Sequence, residues 1–179
     1  VQSGSNNILK AMRRRHTRDE YIEIINKLKE IRPGISISSD FIVGFPGETE
    51  EDFQDTLDLV DEIEYDESFS FIYSPRPNTT AKDLEDSVSP QEKKERLDRL
   101  QAKLEQSALS ISRRMVGKVS NSLVTGVSKK DPGEFQARAE NNKVVIFSCD
   151  DQSLIGNLVP VEIVEAKTKS LRGIYRPKC

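Results

Sequence analysis

The sequence predicts an α/β unit of alternating strands and helices, followed by an all-β unit of short strands. Apolar runs at 35–43 and 68–73 alternate with helical periodicities at 50–64 and 90–113, the pattern of parallel βα units. Beyond Arg114 the runs shorten to about five strands, divided by DPG, ENN, CDDQ and KTK turns. The charge changes sign at the same place. Residues 1–112 hold 15 Lys/Arg against 23 Asp/Glu, a balance of −8, whereas residues 113–179 hold 12 against 7, a balance of +5. The expected boundaries are therefore 1–113 and 114–179.

Composition narrows the function classes. With 179 residues, 35% of them apolar and 32% charged, the chain reads as soluble and globular with one or two domains. No apolar run is long enough to span a bilayer and no cleavable leader is visible, so the expectation is a cytoplasmic protein with no membrane partner. Cys149 and Cys179 are the only cysteines, and they read as free thiols rather than as a disulfide framework or a metal site. Between Pro33 and Pro75 stand twelve acids and no base. That stretch repels nucleic acid, and a polyanion should prefer the basic tail.

The elements follow in order. Val1 to Ser3 opens without a methionine, which suggests a fragment, and Ser5 can cap a short helix carrying Ile8, Leu9 and Met12. Thr17 and Glu20 form a capping box for a second helix, with Tyr21, Ile24, Ile25, Leu28 and Ile31 on one face and Pro33-Gly34 as its stop. Ile35, Ile37, Phe41, Ile42 and Val43 make a strand apolar on both faces. Thr49 with Asp52 then starts a helix that turns Phe53, Leu57, Val60 and Ile63 inward. Ser68 to Tyr73 is a strand by its alternation and aromatic content. Ser89-Pro90-Gln91-Glu92 caps a long helix with Leu97, Leu100, Leu104, Ala108 and Ile111 on one stripe. So few βα units cannot close a sheet, so an edge and an apolar face, Phe69 and Phe71 among it, await a missing N-terminal partner. Strands at 122–127, 135–139, 143–147, 159–166 and 171–175 suit a small barrel of the oligonucleotide-binding (OB) type. Its lysines either meet nucleic acid or are merely solvated.

The turn Gly44-Phe45-Pro46-Gly47 lacks the lysine and following hydroxyl of a P-loop and is not spaced as GxGxxG, which argues against a nucleotide-phosphate cradle. Five ordered blocks carry a resemblance instead: VQSGSNNILKAMRR, SSDFIVGFPGETEEDF, FSFIYSPRP, ISRRMVGK, and ENNKVV with SLRG. In this order they resemble the C-terminal half of the tRNA methylthiotransferases of the MiaB type, in the radical S-adenosylmethionine superfamily. The resemblance implies the C-terminal portion of a radical-SAM (β/α) barrel over residues 1–113 and a TRAM RNA-binding β-barrel over 114–179. The implied activity adds a methylthio group to position 2 of isopentenyladenosine beside the anticodon. Its implied cofactors are S-adenosylmethionine and two 4Fe-4S clusters, and its partners the tRNA anticodon arm and the N-terminal half of the same protein.

Site residues follow from the resemblance. The strand ending at Val43-Gly44 lies beside the adenosyl group, with Ile42 and Val43 offering apolar contact or serving as core, and Gly44 letting the backbone approach the purine. Gln2 and Ser3 end the preceding strand, facing the ribose and methionine part or else water. Asp40 either faces the barrel mouth or pairs with a base such as Arg76, because a carboxylate inside an apolar strand is costly alone. RNA contacts fall to Arg138, Asn142, Lys143, Ser170 and Arg172; the arginines' other reading is ion pairs with Glu140, Glu162 or Glu165. No catalytic residue and no metal ligand is expected within the chain. Two cysteines are too few for either cluster, and His16 reads as a solvent-facing spacer. Asn78, Ala137 and Ile146 depart from the family pattern, so Ile146 is not carried over. Two alternatives stand beside this reading: a sister enzyme that modifies a ribosomal protein, and a non-enzymatic RNA-binding module.

Overall fold

The computed structural model describes residues 1–75, 81 and 84–177. It divides into two compact units, Val1–Ala108 and Leu109–Cys179. The Arg76-Pro77-Asn78-Thr79 turn and Cys179 lie outside the described residues, as does any pairing of Asp40 with Arg76.

The first unit runs α1 (Asn6–Ala11), α2 (Arg18–Ile31), β1 (Ser38–Val43), α3 (Glu50–Ile63), β2 (Glu67–Ile72) and α4 (Pro90–Arg113), the last of which crosses the division. Each start is set by its cap. Ser5 Oγ accepts from the Asn7 and Ile8 amides; Thr17 with Glu20 and Thr49 with Asp52 form complete capping boxes. Ser89 and Glu92 exchange the same pair of bonds ahead of α4. β1 and β2 pair in parallel, from Ser38 opposite Glu67 to Val43 opposite Ile72. Phe41 and Val43 point to one face and are fully buried with Phe53, Val60, Ile63 and Leu100 from α3 and α4. Tyr65 closes this core, its ring edge-on to Phe41 at 5.2 Å and its hydroxyl donating to that of Tyr21.

Two expectations are corrected here. Of the α2 stripe only Ile25 is buried; Ile24, Leu28 and Ile31 are 54%, 38% and 82% exposed, because α2 docks through the Tyr21, Ile22 and Ile25 side. His16 is half-buried rather than a solvent-facing spacer, with its ring 6.2 Å from Tyr21 and its Nε2 buried without a partner among the described residues. Phe69 and Phe71 are, as expected, 60% and 54% exposed.

Asp52 ties the N-terminal segment to α3. Besides capping its own helix, the carboxylate accepts from the Ser5 hydroxyl at 2.5 Å and from Asn7 Nδ2 at 3.3 Å. Thr56, one turn further, takes the Gly4 amide and faces the Ser3 hydroxyl. Gly4 has to be glycine: a Cβ there would sit 2.3 Å from the Asp55 carbonyl oxygen. Segment 3–5 is thereby fixed on the first two turns of α3.

The second unit is a closed barrel in the order β3-β4-β5-β7-β6, from β3 (Val119–Val127), β4 (Glu134–Arg138), β5 (Val144–Ser148), β6 (Leu158–Ala166) and β7 (Leu171–Tyr175). All neighbours are antiparallel except β5 and β7, where Val145 lies opposite Leu171. Alternation sends Val124, Phe135, Ala137, Val145, Phe147, Val161, Ile163 and Leu171 into the centre. Closure needs Gly173, whose Cβ would meet Val161 Cγ1 at 2.3 Å. Bulges between Val124 and Gly126 and between Ile163 and Glu165 bend the two long strands around the barrel.

The Asp52 network makes a pH prediction. Burial pushes its carboxyl up, but hydrogen bonds from Ser5, Thr49 and Asn7 outweigh burial and hold it below the usual range. Its stabilisation is full above the unfolded value of about 4 and is lost as pH falls through the folded one. Asp52→Asn should therefore lose about 1–3 kcal/mol at pH 7 in urea unfolding, and the gap from the parent should close on acidification below pH ~4. A pH-independent gap would mean that the charge contributes nothing.

Candidate functional site

At the C-terminal ends of β1 and β2 lies a cavity of about 750 Å³. Its walls mix chemistry: Ile42, Phe45 and Phe71 are apolar, and Gln2, Asp40 and Tyr73 bring an amide, a carboxylate and a phenol. The volume and the few convergent polar groups are those of a site for a small ligand. The phenol is unusual. Tyr73 Oη is buried with no hydrogen-bond partner among the described residues, while its ring stands edge-on to Phe45 at 4.9 Å. A buried hydroxyl left unpaired costs free energy, and Tyr73 meets the cavity wall as a residue whose ring also carries the Lys93 ammonium at 5.9 Å.

The corner between β1 and α3 shapes this cavity. Gly44 (φ 68°) and Gly47 (φ 81°) both adopt the left-handed conformation that glycine takes without penalty. Glu48, 4% exposed, folds back so that Oε2 accepts the Gly44 amide at 2.8 Å. Arg96 of α4 donates to that same oxygen and to the Glu48 carbonyl, both at 2.9 Å. Burial pushes the Glu48 carboxyl up, against the Gly44 amide and the Arg96 guanidinium, which pull it down. The stem of Lys93 lies over Gly44, where a Cβ would come within 2.3 Å of Lys93 Cγ, and its ammonium pairs with Asp86. α4 thus clamps the corner from outside.

The residues expected around a cofactor divide into two groups. Gln2, Asp40 and Ile42 line the cavity. The Gln2 carbonyl accepts from the Ile42 amide at 3.0 Å, and Ser39 Oγ donates to the Val1 carbonyl, so the N-terminal segment runs beside β1. Asp40 is exposed, so the desolvation argument for a paired carboxylate does not apply to it. Ser3, Val43 and Gly44 are not among the lining residues. Ser3 is buried against Thr56, Val43 is core, and the Gly44 amide is given to Glu48. Phe45, Phe71, Tyr73 and the α1 exit residues Met12, Arg13 and Arg14 line the cavity although the sequence did not assign them to the site. Phe45 follows an apolar run and Phe71 and Tyr73 lie in the last three residues of another, a signal that could have named them.

On the barrel, β4, β5 and β7 present one outer surface. Arg138 faces outward at the end of β4, and its Nη1 donates to the Asn142 carbonyl at 2.8 Å. Asn142 (φ 64°) makes the left-handed turn into β5, and Lys143 follows half-buried. Parallel pairing of β5 with β7 sets Val145 opposite Leu171 and Arg172 opposite Ile146, with Ser170 immediately before β7. The β4–β5 turn and the start of β7 are therefore neighbours. Arg172 pairs with Glu134 rather than with Glu162 or Glu165, and Glu162 is taken by Arg176.

No helix of the described residues is long and apolar enough to cross a membrane. Among the described residues no group of three or more His, Cys, Asp or Glu could hold a metal ion.

Comparison with known proteins gives these features a context. Residues 1–60 match the family model of the radical SAM superfamily, and residues 113–175 match that of the TRAM domain. A tRNA-2-methylthio-N(6)-dimethylallyladenosine synthase of Hahella chejuensis is 57% identical over 173 residues, 97% of this chain and 39% of the relative. Proteins of the same name from Pseudomonas syringae pv. syringae and Chromohalobacter salexigens are 56% and 55% identical, again over 97% of this chain and 39% of theirs. The chain spans about two fifths of the length of these curated relatives. Residues 1–60 are thus similar to the radical SAM superfamily and residues 113–175 to the TRAM domain, and together they resemble a segment of the tRNA-2-methylthio-N(6)-dimethylallyladenosine synthases.

Proposed function

We propose that this chain is the part of a tRNA methylthiotransferase that holds the adenosyl end of S-adenosylmethionine and grips the tRNA anticodon arm. The reaction adds a methylthio group to position 2 of isopentenyl (dimethylallyl) adenosine, in the cytoplasm. The observation that carries this reading is the strand-end cavity joined in one chain to an RNA-binding type of barrel, in a sequence 57% identical to a synthase of that activity.

The cavity fits the cofactor. Ile42, Phe45 and Phe71 supply apolar walls for a flat purine. Gln2 offers both donors and an acceptor to the ribose and methionine part, and the exposed Asp40 carboxylate suits its ammonium. Ser3, Val43 and Gly44 act from behind, through Thr56, the core and Glu48. S-adenosylmethionine, when bound, supplies the radical and methyl chemistry. An iron–sulfur cluster does not fit these residues: the chain has two cysteines, and Cys149 belongs to the barrel unit. The thiolates that hold any cluster come from the rest of the protein.

The test is a nucleoside analysis. Disruption of the gene should remove 2-methylthio-N6-isopentenyladenosine from bulk tRNA and leave isopentenyladenosine in its place, as read by mass spectrometry. Unchanged tRNA with loss of methylthiolation on a ribosomal protein would select the sister activity, and no change in either would leave an RNA-binding module.

On the TRAM face, Lys143 and Arg138 are the residues proposed to meet phosphate, with Asn142 and Ser170 giving shorter hydrogen bonds. Lys143→Ala should weaken binding of an anticodon stem-loop and lower the salt dependence by about one ion. Arg172→Ala should also lower the barrel's melting temperature, because Glu134 loses its partner. Stem-loop affinity and salt slope unchanged in Lys143→Ala would move the RNA surface elsewhere.

A further inference from the structure

We propose that the turn leaving α1 is a second RNA-binding element, in which Arg13 and Arg14 grip the phosphodiester backbone beside the nucleoside that enters the strand-end cavity. The inference rests on the reading that an RNA nucleoside is the substrate, and it adds a contact in the first unit that neither the charge balance nor the barrel pointed to.

Four observations carry it. Both arginines line the cavity, and both are exposed. Neither guanidinium has a hydrogen bond or ion pair among the described residues, although Arg18, Arg96 and Arg99 of the same acid-rich unit each hold a glutamate. The turn that carries them is fixed: the Arg13 amide donates to the Lys10 carbonyl at 2.9 Å, and the Arg14 amide to the Leu9 carbonyl at 2.8 Å. Arg13 itself is left-handed (φ 56°), a conformation that L-residues adopt at a cost.

Charge identifies the ligand. Lys10, Arg13, Arg14 and Arg15 are four exposed cations within six residues, in a unit otherwise dominated by acids. Asp40 is the one carboxylate on the cavity wall among the described residues. A single carboxylate needs one guanidinium, whereas a run of cations on a rim matches the spaced charges of a nucleic-acid strand. Arginine forks to phosphate and also stacks on an unpaired base, which suits a loop nucleotide turned out of its stack. The cofactor's carboxylate is the other anion that could enter, and the experiment separates the two.

The full chain is titrated with a fluorescent anticodon stem-loop, as parent, Arg13→Gln, Arg14→Gln and the double variant, at several salt concentrations. S-adenosylmethionine binding is followed in parallel by equilibrium dialysis. The double variant should bind the stem-loop about an order of magnitude more weakly. Its salt slope should fall by about 1.5, two phosphates' worth, with cofactor binding and melting temperature unchanged. Combined with Lys143→Ala, the losses should add, as they do for separate sites. Parent-like RNA affinity in the double variant would overturn the inference while leaving the proposed function intact. Loss of cofactor binding with RNA binding kept would assign the arginines to the methionine carboxylate and overturn it as well. A parent chain that fails to bind the stem-loop would overturn the RNA reading from which it starts.

Discussion

The Glu48 carboxylate is the constraint on which the first unit's site depends. A strand must end, reverse its direction within four residues and start a helix, and all of this occurs at the wall of a cavity. Glycines permit the reversal but do not fix it. Glu48 fixes it by accepting the Gly44 amide, and Arg96 fixes Glu48 in turn by bonding both its carboxylate and its carbonyl. The pair is almost wholly buried, with side chains 1% and 7% exposed. Burying such a pair gains little net stability, since desolvation offsets attraction, but removing one partner costs about 3–5 kcal/mol. Its effect is therefore on shape. It also makes α4, remote in sequence, part of the site's support, with Lys93 and Arg96 one turn apart on its inner side.

The same economy appears at Asp52. One carboxylate caps α3, receives the Ser5 hydroxyl that caps α1, and so holds the N-terminal segment beside β1, where Gln2 reaches the cavity. Two helix starts and one cavity wall share a single charge. In the barrel the comparable role falls to geometry rather than charge, with alternation, two bulges and Gly173 closing five strands.

Much of this was legible in the sequence because it is local. Caps at Ser5, Thr17, Thr49 and Ser89 are short-range bonds with fixed spacing, and all four form. Strand alternation placed the barrel's inward residues for the same reason. What was not legible depends on long-range packing. Which side of α2 is buried depends on where β1 and α3 lie, so the apolar stripe Ile24, Leu28 and Ile31 pointed the wrong way. Gly44 looked like room for a ligand, yet its conformation is demanded by the Glu48 bond and the Lys93 stem. The run Lys10 to Arg15 drew no notice, because a charge run gives no sign of which cavity it borders. Arg172 found Glu134 across the barrel, a partner set by strand order rather than by sequence distance.

Amide hydrogen exchange at Gly44 tests the corner most directly. In the parent chain this amide, buried and bonded to Glu48, should exchange slowly, and Arg96→Met should speed it at least tenfold more than it speeds the Val60 amide in the core of the same unit. S-adenosylmethionine affinity should fall in step. A Gly44 amide equally protected in both chains, or one that quickens only as much as Val60, would contradict the account and leave the corner held by its glycines and core packing alone.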